Sequence, residues 1–306
     1  MNRRNLLMIA VLLIIMIAVF SIITENPIKI IYIIYKGNIL LLYSFLLITL
    51  SEIIKSFRLY YICNSSKKCK INFIEAMEIQ FNGFFAGTIT PGNFGGVPTI
   101  AGLISKYSQT PMGEAFGISS LQSFFDGIIP SVVSFVLSLY YLPKSIGITI
   151  FSFLTIIFWI LVFNVNIKNL FMKLISKIGK DNIKQRIIYE IDRFQNLLRV
   201  AGNKKIIINS IAITLVAYII QVFSIRILLK NLDITYLNIF IALMFNYSMA
   251  SFPTPAGEGG AEYGLALLLP LNVVILWRLT YVFSGLISGG FSYLTFKKLK
   301  KSQKHI

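Results

Sequence analysis

Glu258 and Glu262 stand four residues apart in "PTPAGEGGAE" (Pro253–Glu262), within a stretch that is otherwise apolar. At that spacing two carboxylates share one face of a helix, about one turn apart. A carboxylate at membrane depth is costly and marks a functional site by default. Two readings of the pair are open: a cap on the helix N-terminus, or coupling to a proton, a cation or a cationic group. Arg278 is the only basic residue well inside a later apolar run. It either pairs with Glu262 or Glu258 or takes a phosphate through its forked guanidinium. Asp126, the remaining deep acid, is either a partner for Arg278 or a polar group lining a cavity. Glu52, Lys55 and Arg58 lie near the end of another apolar run, where an i,i+3 pair and snorkelling stems account for them.

Other chemistries are excluded by inventory. The single histidine is His305, and the two cysteines, Cys63 and Cys69, flank a basic loop. No Cys/His metal site and no nucleophile–histidine triad can be assembled from these. The expectation is a protein without catalytic constellation, metal or cofactor.

The elements that position these residues are membrane helices. Of 306 residues 56% are hydrophobic and 13% charged, against roughly 25% charged in soluble domains. The net charge of +17 falls in blocks between apolar runs. That pattern suits anionic headgroups and the positive-inside rule rather than nucleic acid. Six runs are long enough to cross a bilayer: 5–23, 38–57, 114–140, 145–163, 206–229 and 272–296. The first lacks a small-residue cleavage site before Thr24 and is read as a retained span. Two further segments, 73–104 and 237–270, are interrupted by Pro/Gly clusters. With a cytoplasmic N-terminus and both interrupted segments returning to the side they entered from, 23 of the 29 Lys and Arg lie inside. Making either segment a single crossing spoils this bias. Both are therefore read as re-entrant hairpins, in an all-α multi-pass protein of the plasma membrane with cytoplasmic termini. The basic segment 164–205 carries Ile187, Ile191, Phe194 and Leu198 on one helical face and reads as a cytoplasmic helix on anionic lipid.

The two breaks repeat each other. Phe81, Asn82, Ala86, Thr90, Pro91, Gly95 and Gly96 match Phe245, Asn246, Ala250, Thr254, Pro255, Gly259 and Gly260, every pair 164 residues apart. One membrane domain, 1–306, thus divides into repeats 1–142 and 143–306. Because they enter from opposite sides, the repeat is inverted, an architecture with its site between discontinuous helices. The tips should then approach each other. Gly92, Gly95, Gly96, Gly257, Gly259 and Gly260 permit close backbone approach, and Pro98 suits a first helical turn. The first tip carries no acid, so its amides are expected to be available to a phosphate. Pro253 and Thr254 precede the second tip's acids.

At these motifs the chain resembles the lysylphosphatidylglycerol synthase transmembrane-region family of flippase-like membrane proteins. The resemblance rests on "TPGNFGGVP" (Thr90–Pro98) with "GEA" (Gly113–Ala115), and on "PTPAGEGGAE" (Pro253–Glu262). The second is similar to the family's Pro-x-Pro-Gly-x-x-Gly-x-x-Glu signature, although Ala256 stands at a usual glycine and Glu258 is an added acid. It implies translocation of a lipid or lipid-linked anion. It implies no lysyl transfer, since the soluble aminoacyl-transfer domain of larger relatives is not in this sequence. The alternatives are an intramembrane transferase or hydrolase acting on a polyprenyl-phosphate lipid, and a partner subunit of a lipid-modifying enzyme docked through 164–205.

Overall fold

The computed structural model describes residues 27–66, 69–164, 181–200, 203–230, 232–250, 254 and 257–303. Among these, all regular structure is helical. The sequence-predicted span 5–23, and Pro253 and Pro255 of the second motif, lie outside the described residues.

The first long helix, α1, runs Pro27–Ser65. It begins well before the predicted span at 38, and proline is suited to its first position because no amide is lost there. Next comes the first interrupted segment. Helix α2 (Phe73–Thr88) starts at a capping box: Asn72 accepts from the Glu75 amide while Glu75 accepts from the Asn72 amide. This reciprocal pair satisfies two amides that a helix start leaves without partners. A turn follows, and α3 (Gly96–Ser108) leads to α4 (Met112–Ser138). The second half contains α5 (Ile146–Asn164), α6 (Asp181–Val200) and α7 (Lys204–Leu229). Helix α8 (Tyr236–Met249), started by Thr235, is the first arm of the second interrupted segment. It is followed by the short α9 (Gly260–Ala266) and the long α10 (Leu271–Gln303).

Five helices among the described residues are long and apolar enough to cross a membrane: Ile39–Ser65, Met112–Tyr141, Ile146–Phe163, Lys204–Leu229 and Leu271–Gly290. Large side chains such as Phe153, Leu154, Phe158 and Leu161 on α5 are exposed, as a lipid-facing helix requires.

Packing follows the repeat. Exchanging α1 with α7, α2 with α8, α3 with α9 and α4 with α10 maps neighbours onto neighbours. Helix α2 packs on α10 as α8 packs on α4, and α2 on α3 as α8 on α9. Helices α1 and α7 pack on each other. The second arms begin at Gly96 and Gly260, the same 164-residue offset as the motif. Each pair of arms is in close contact. A Cβ on Gly83 would sit 2.4 Å from Ile100, and one on Gly264 would sit 2.7 Å from the Phe245 backbone. The copies differ in length: α9 has 7 residues against 13 in α3, so it reaches only about 10 Å.

Helix α6 lies on α4. Its apolar face, assigned to lipid from the sequence, is partly taken up by protein, with Leu197 and Leu198 inside the core formed with Leu59, Ile79 and Ile118.

Candidate functional site

The two repeated tips touch. The Gly92 amide donates to the Thr254 carbonyl at 2.9 Å, and that same oxygen accepts from Gly257 at 3.0 Å. The Asn93 side-chain amide reaches the Ala250 carbonyl at 3.5 Å. Each motif threonine braces its own tip. Thr90 donates to the Ala86 carbonyl at 2.7 Å and accepts from the Gly95 amide at 2.8 Å, and Thr254 donates to the Glu258 carbonyl at 2.5 Å. Gly257 has φ +69, and a Cβ there would meet the Ala250 carbonyl oxygen at 2.3 Å. Left-handed backbone and this contact together demand glycine.

The expected free amides at the first tip are not free. Besides Gly92, the amides of Asn93, Phe94 and Gly96 donate to Thr90, Pro91 and Asn93 carbonyls, and Gly95 donates to Thr90 Oγ1. The turn is so tight that its donors close on its own acceptors and on the opposite tip. Pro98 lies in the first turn of α3, as expected.

Beside the second tip is a buried charged group. Glu262 Oε2 accepts from the Gly259 amide at 2.6 Å, and Oε1 accepts from Arg278 Nε at 2.5 Å. Glu262 is therefore both helix cap and ion-pair partner, so the two structural readings of the sequence hold at once. Glu262 is 3% and Arg278 1% exposed. Glu258, 3% exposed, has no hydrogen-bond partner on either carboxylate oxygen among the described residues. It lies within the electrostatic reach of Arg278 and Glu262. A buried carboxylate oxygen without a donor is expensive.

Asp126 is not a partner of Arg278. It joins a second buried cluster, with Glu52, Lys55 and Arg58, which are buried rather than snorkelling from a helix end. Arg58 Nη2 donates to Asp126 Oδ2 at 2.8 Å, Nε to Gln122 at 2.9 Å and Nη1 to Thr214 at 2.5 Å. Lys55 pairs with Glu52 at 2.8 Å and lies 4.0 Å from Asp126 Oδ1. Gln80 donates to the other Glu52 oxygen at 2.9 Å. Arg58, Lys55 and Glu52 are buried because α1 continues to Ser65 and is covered by α2, α4 and α7. The signal that marks the cluster in the sequence is a row of mid-span polar residues, Gln80, Gln122 and Asp126, each needing a buried partner.

Two tyrosines bridge the clusters. Lys55 stands over the Tyr247 ring at 5.6 Å, Tyr247 and Tyr281 rings are 6.4 Å apart, and Arg278 stands 5.7 Å from the Tyr281 ring. Among the described residues no group of three His, Cys, Asp or Glu converges to hold a metal.

Paired interrupted helices, long apolar helices around them and buried charge beside their meeting point define an all-helical, multi-pass membrane protein. Residues 7–289 match the family described as the lysylphosphatidylglycerol synthase TM region, and the chain belongs to that family. No curated protein and no solved structure matches it.

Proposed function

We propose that the protein translocates a lipid or lipid-linked anionic substrate without catalysing a reaction on it, through the region where the two tips meet. The observation that carries this reading is Glu258, buried and, among the described residues, without a hydrogen-bond donor beside the Arg278–Glu262 pair. Stability alone does not call for such a group, whereas a site that binds and releases a charged species does. Family membership supports a lipid-related role. In this reading both interrupted segments are re-entrant, the repeats are inverted and span 5–23 is a sixth crossing. The protein sits in the plasma membrane, and its basic face meets anionic headgroups on the cytoplasmic side.

The test is lipid translocation in proteoliposomes made with native lipid extract, comparing the wild type with Glu258→Gln. The amide keeps the shape and leaves the Arg278–Glu262 pair in place. The expected result is a normally folded variant whose translocation falls by about tenfold or more, the equivalent of roughly 1.4 kcal/mol on the barrier. Wild-type rates in the Gln variant would remove Glu258 from the mechanism. No translocation by the wild type of any lipid in the extract would remove the transport reading itself.

A further inference from the structure

We propose that the cluster of Lys55, Arg58, Glu52 and Asp126 is a second station, which binds a phosphate group, and that Asp126 is the resident anion this phosphate displaces. The inference extends the transport reading above to a second site on the same interior.

The two acids of the cluster are held differently. Glu52 has both oxygens engaged, by Lys55 at 2.8 Å and Gln80 at 2.9 Å. Asp126 has one: Oδ2 takes Arg58, while Oδ1 accepts no hydrogen bond among the described residues although Lys55 stands 4.0 Å away. The side chains of Arg58, Glu52 and Lys55 are 0%, 2% and 6% exposed, that of Asp126 30%. Asp126 is thus the looser of the two anions and the least buried side chain of the four, although Oδ1 itself is buried. Its backbone is fixed, since Tyr218 donates to its carbonyl at 2.8 Å, so the carboxylate can leave while the helix stays.

What it would leave behind is built for a tetrahedral anion. Gln122 and Thr214 hold two edges of the Arg58 guanidinium and aim Nη2 at the place Asp126 fills. Lys55 Nζ approaches the same place from another helical turn. A planar fork and a point cation converging on one site is the donor set that phosphate oxygens use. With Asp126 in place the charges of Glu52, Lys55, Arg58 and Asp126 cancel; with it withdrawn one positive charge remains. A buried unpaired cation is strongly unfavourable, so departure of the carboxylate and arrival of the phosphate occur as one exchange. The first tip cannot serve instead, because its amides from Gly92 to Gly96 are engaged.

A lipid headgroup and free phosphate present the same chemistry, and the experiment separates them. The purified full chain is titrated in detergent, at fixed ionic strength, with inorganic phosphate and with dioleoyl phosphatidic acid in mixed micelles. Calorimetry and thermal unfolding are the readouts. Asp126→Asn removes the competing anion and should bind at least about tenfold more tightly than the wild type, because one added unit charge at contact distance is worth that much or more. The double variant Asp126→Asn with Arg58→Gln restores neutrality and should lose the gain. Gain with both probes identifies free phosphate as sufficient, and gain with the lipid alone identifies a headgroup. Equal binding by wild type, single and double variants would overturn the proposal and leave a structural ion-pair network. If Asp126→Asn cannot be purified, Lys55→Gln replaces it: a roughly tenfold loss of phosphatidic acid binding supports the station, and unchanged binding overturns it. These readouts measure binding, so they can fail while the Glu258 translocation test succeeds, and the reverse.

Discussion

The Gly92 amide and the Thr254 carbonyl, joined at 2.9 Å, connect two copies of one motif that lie far apart in the sequence. Thr254 Oγ1 and its carbonyl serve both tips, so the contact is shared by the turns on either side of it. Contact between the tips is therefore predicted in the membrane as well. Gly257 is a poor place for a reporter, because a side chain there would collide with Ala250. Cysteines at Asn93 and Ala250, with Cys63 and Cys69 replaced by serine, should form a cross-link under mild oxidation. Spin labels at the same positions separated by about 30 Å, the thickness of the hydrocarbon core, would show that the tips do not meet.

The second prediction concerns charge balance at Arg278. With Glu258 and Glu262 the group carries a formal excess of one negative charge. Glu262→Gln leaves one acid and one cation, and loses the capping carboxylate of α9. Arg278→Met leaves two buried acids and no cation. Removing one partner of a buried pair costs about 3–5 kcal/mol, and in Glu262→Gln the neighbouring Glu258 offsets part of this. Thermal unfolding in detergent should rank the wild type first, Glu262→Gln second and Arg278→Met last. The reverse order of the two variants would mean that Glu258 is not within effective reach of Arg278.

The motif repeat and the helical character of the apolar runs were legible in the sequence because rare turn residues recur at fixed spacing and because apolar runs must be helical in a bilayer. The second arms begin at Gly96 and Gly260, as the motif alignment requires. The Glu262–Arg278 pair was legible too, since a deep cation needs a deep anion. The Arg58–Asp126 pair was not. Its members are 68 residues apart on helices α1 and α4, and nothing in one sequence specifies which faces of two helices meet. The run 38–57 also placed Arg58 past a helix end, whereas α1 continues to Ser65. The engaged amides of the first tip were hidden for a different reason: turn donors are satisfied by geometry, not composition.

Helix α6 provides the third prediction. The Gly113 amide donates to Glu190 Oε2 at 2.5 Å, and Arg193 pairs with Glu114 at 3.2 Å. A Cβ on Gly113 would lie 2.1 Å from the Glu190 carbonyl oxygen, so Gly113→Ala should push α6 off α4. Trypsin should then cut faster at Arg186 and Arg193 in detergent-solubilised protein. If lipid rather than α4 holds this helix, the variant and the wild type will be cut at equal rates, and only added anionic lipid will protect them.

Lys106 decides the orientation. It lies in the last turn of α3, and the Cys69 sulfur is 3.7 Å from Ser108 two residues on. Lys106 and the Cys63–Cys69 pair therefore share one end of the molecule. Two physical arguments about that end conflict. Placing it inside puts 21 of the 29 Lys and Arg on the cytoplasmic side, Lys55 and Arg58 being buried among the helices, as the positive-inside rule demands. Yet Cys63 and Cys69 form a disulfide, with Cα atoms 5.2 Å apart, and disulfides persist mainly in oxidising compartments. The charge bias draws on the whole chain, whereas the bridge is one bond that two adjacent thiols close when an oxidant reaches them. The prediction is that Lys106 is cytoplasmic and that both cysteines are thiols in the living cell. Lys106→Cys, with Cys63 and Cys69 replaced by serine, should resist a membrane-impermeant maleimide in intact cells and react after permeabilisation. Wild-type protein trapped by acid quenching should show two alkylatable thiols. Labelling at position 106 in intact cells, together with a bridged Cys63–Cys69 pair, would place the basic face outside and remove the basis for reading 73–104 as a hairpin entered from the cytoplasm.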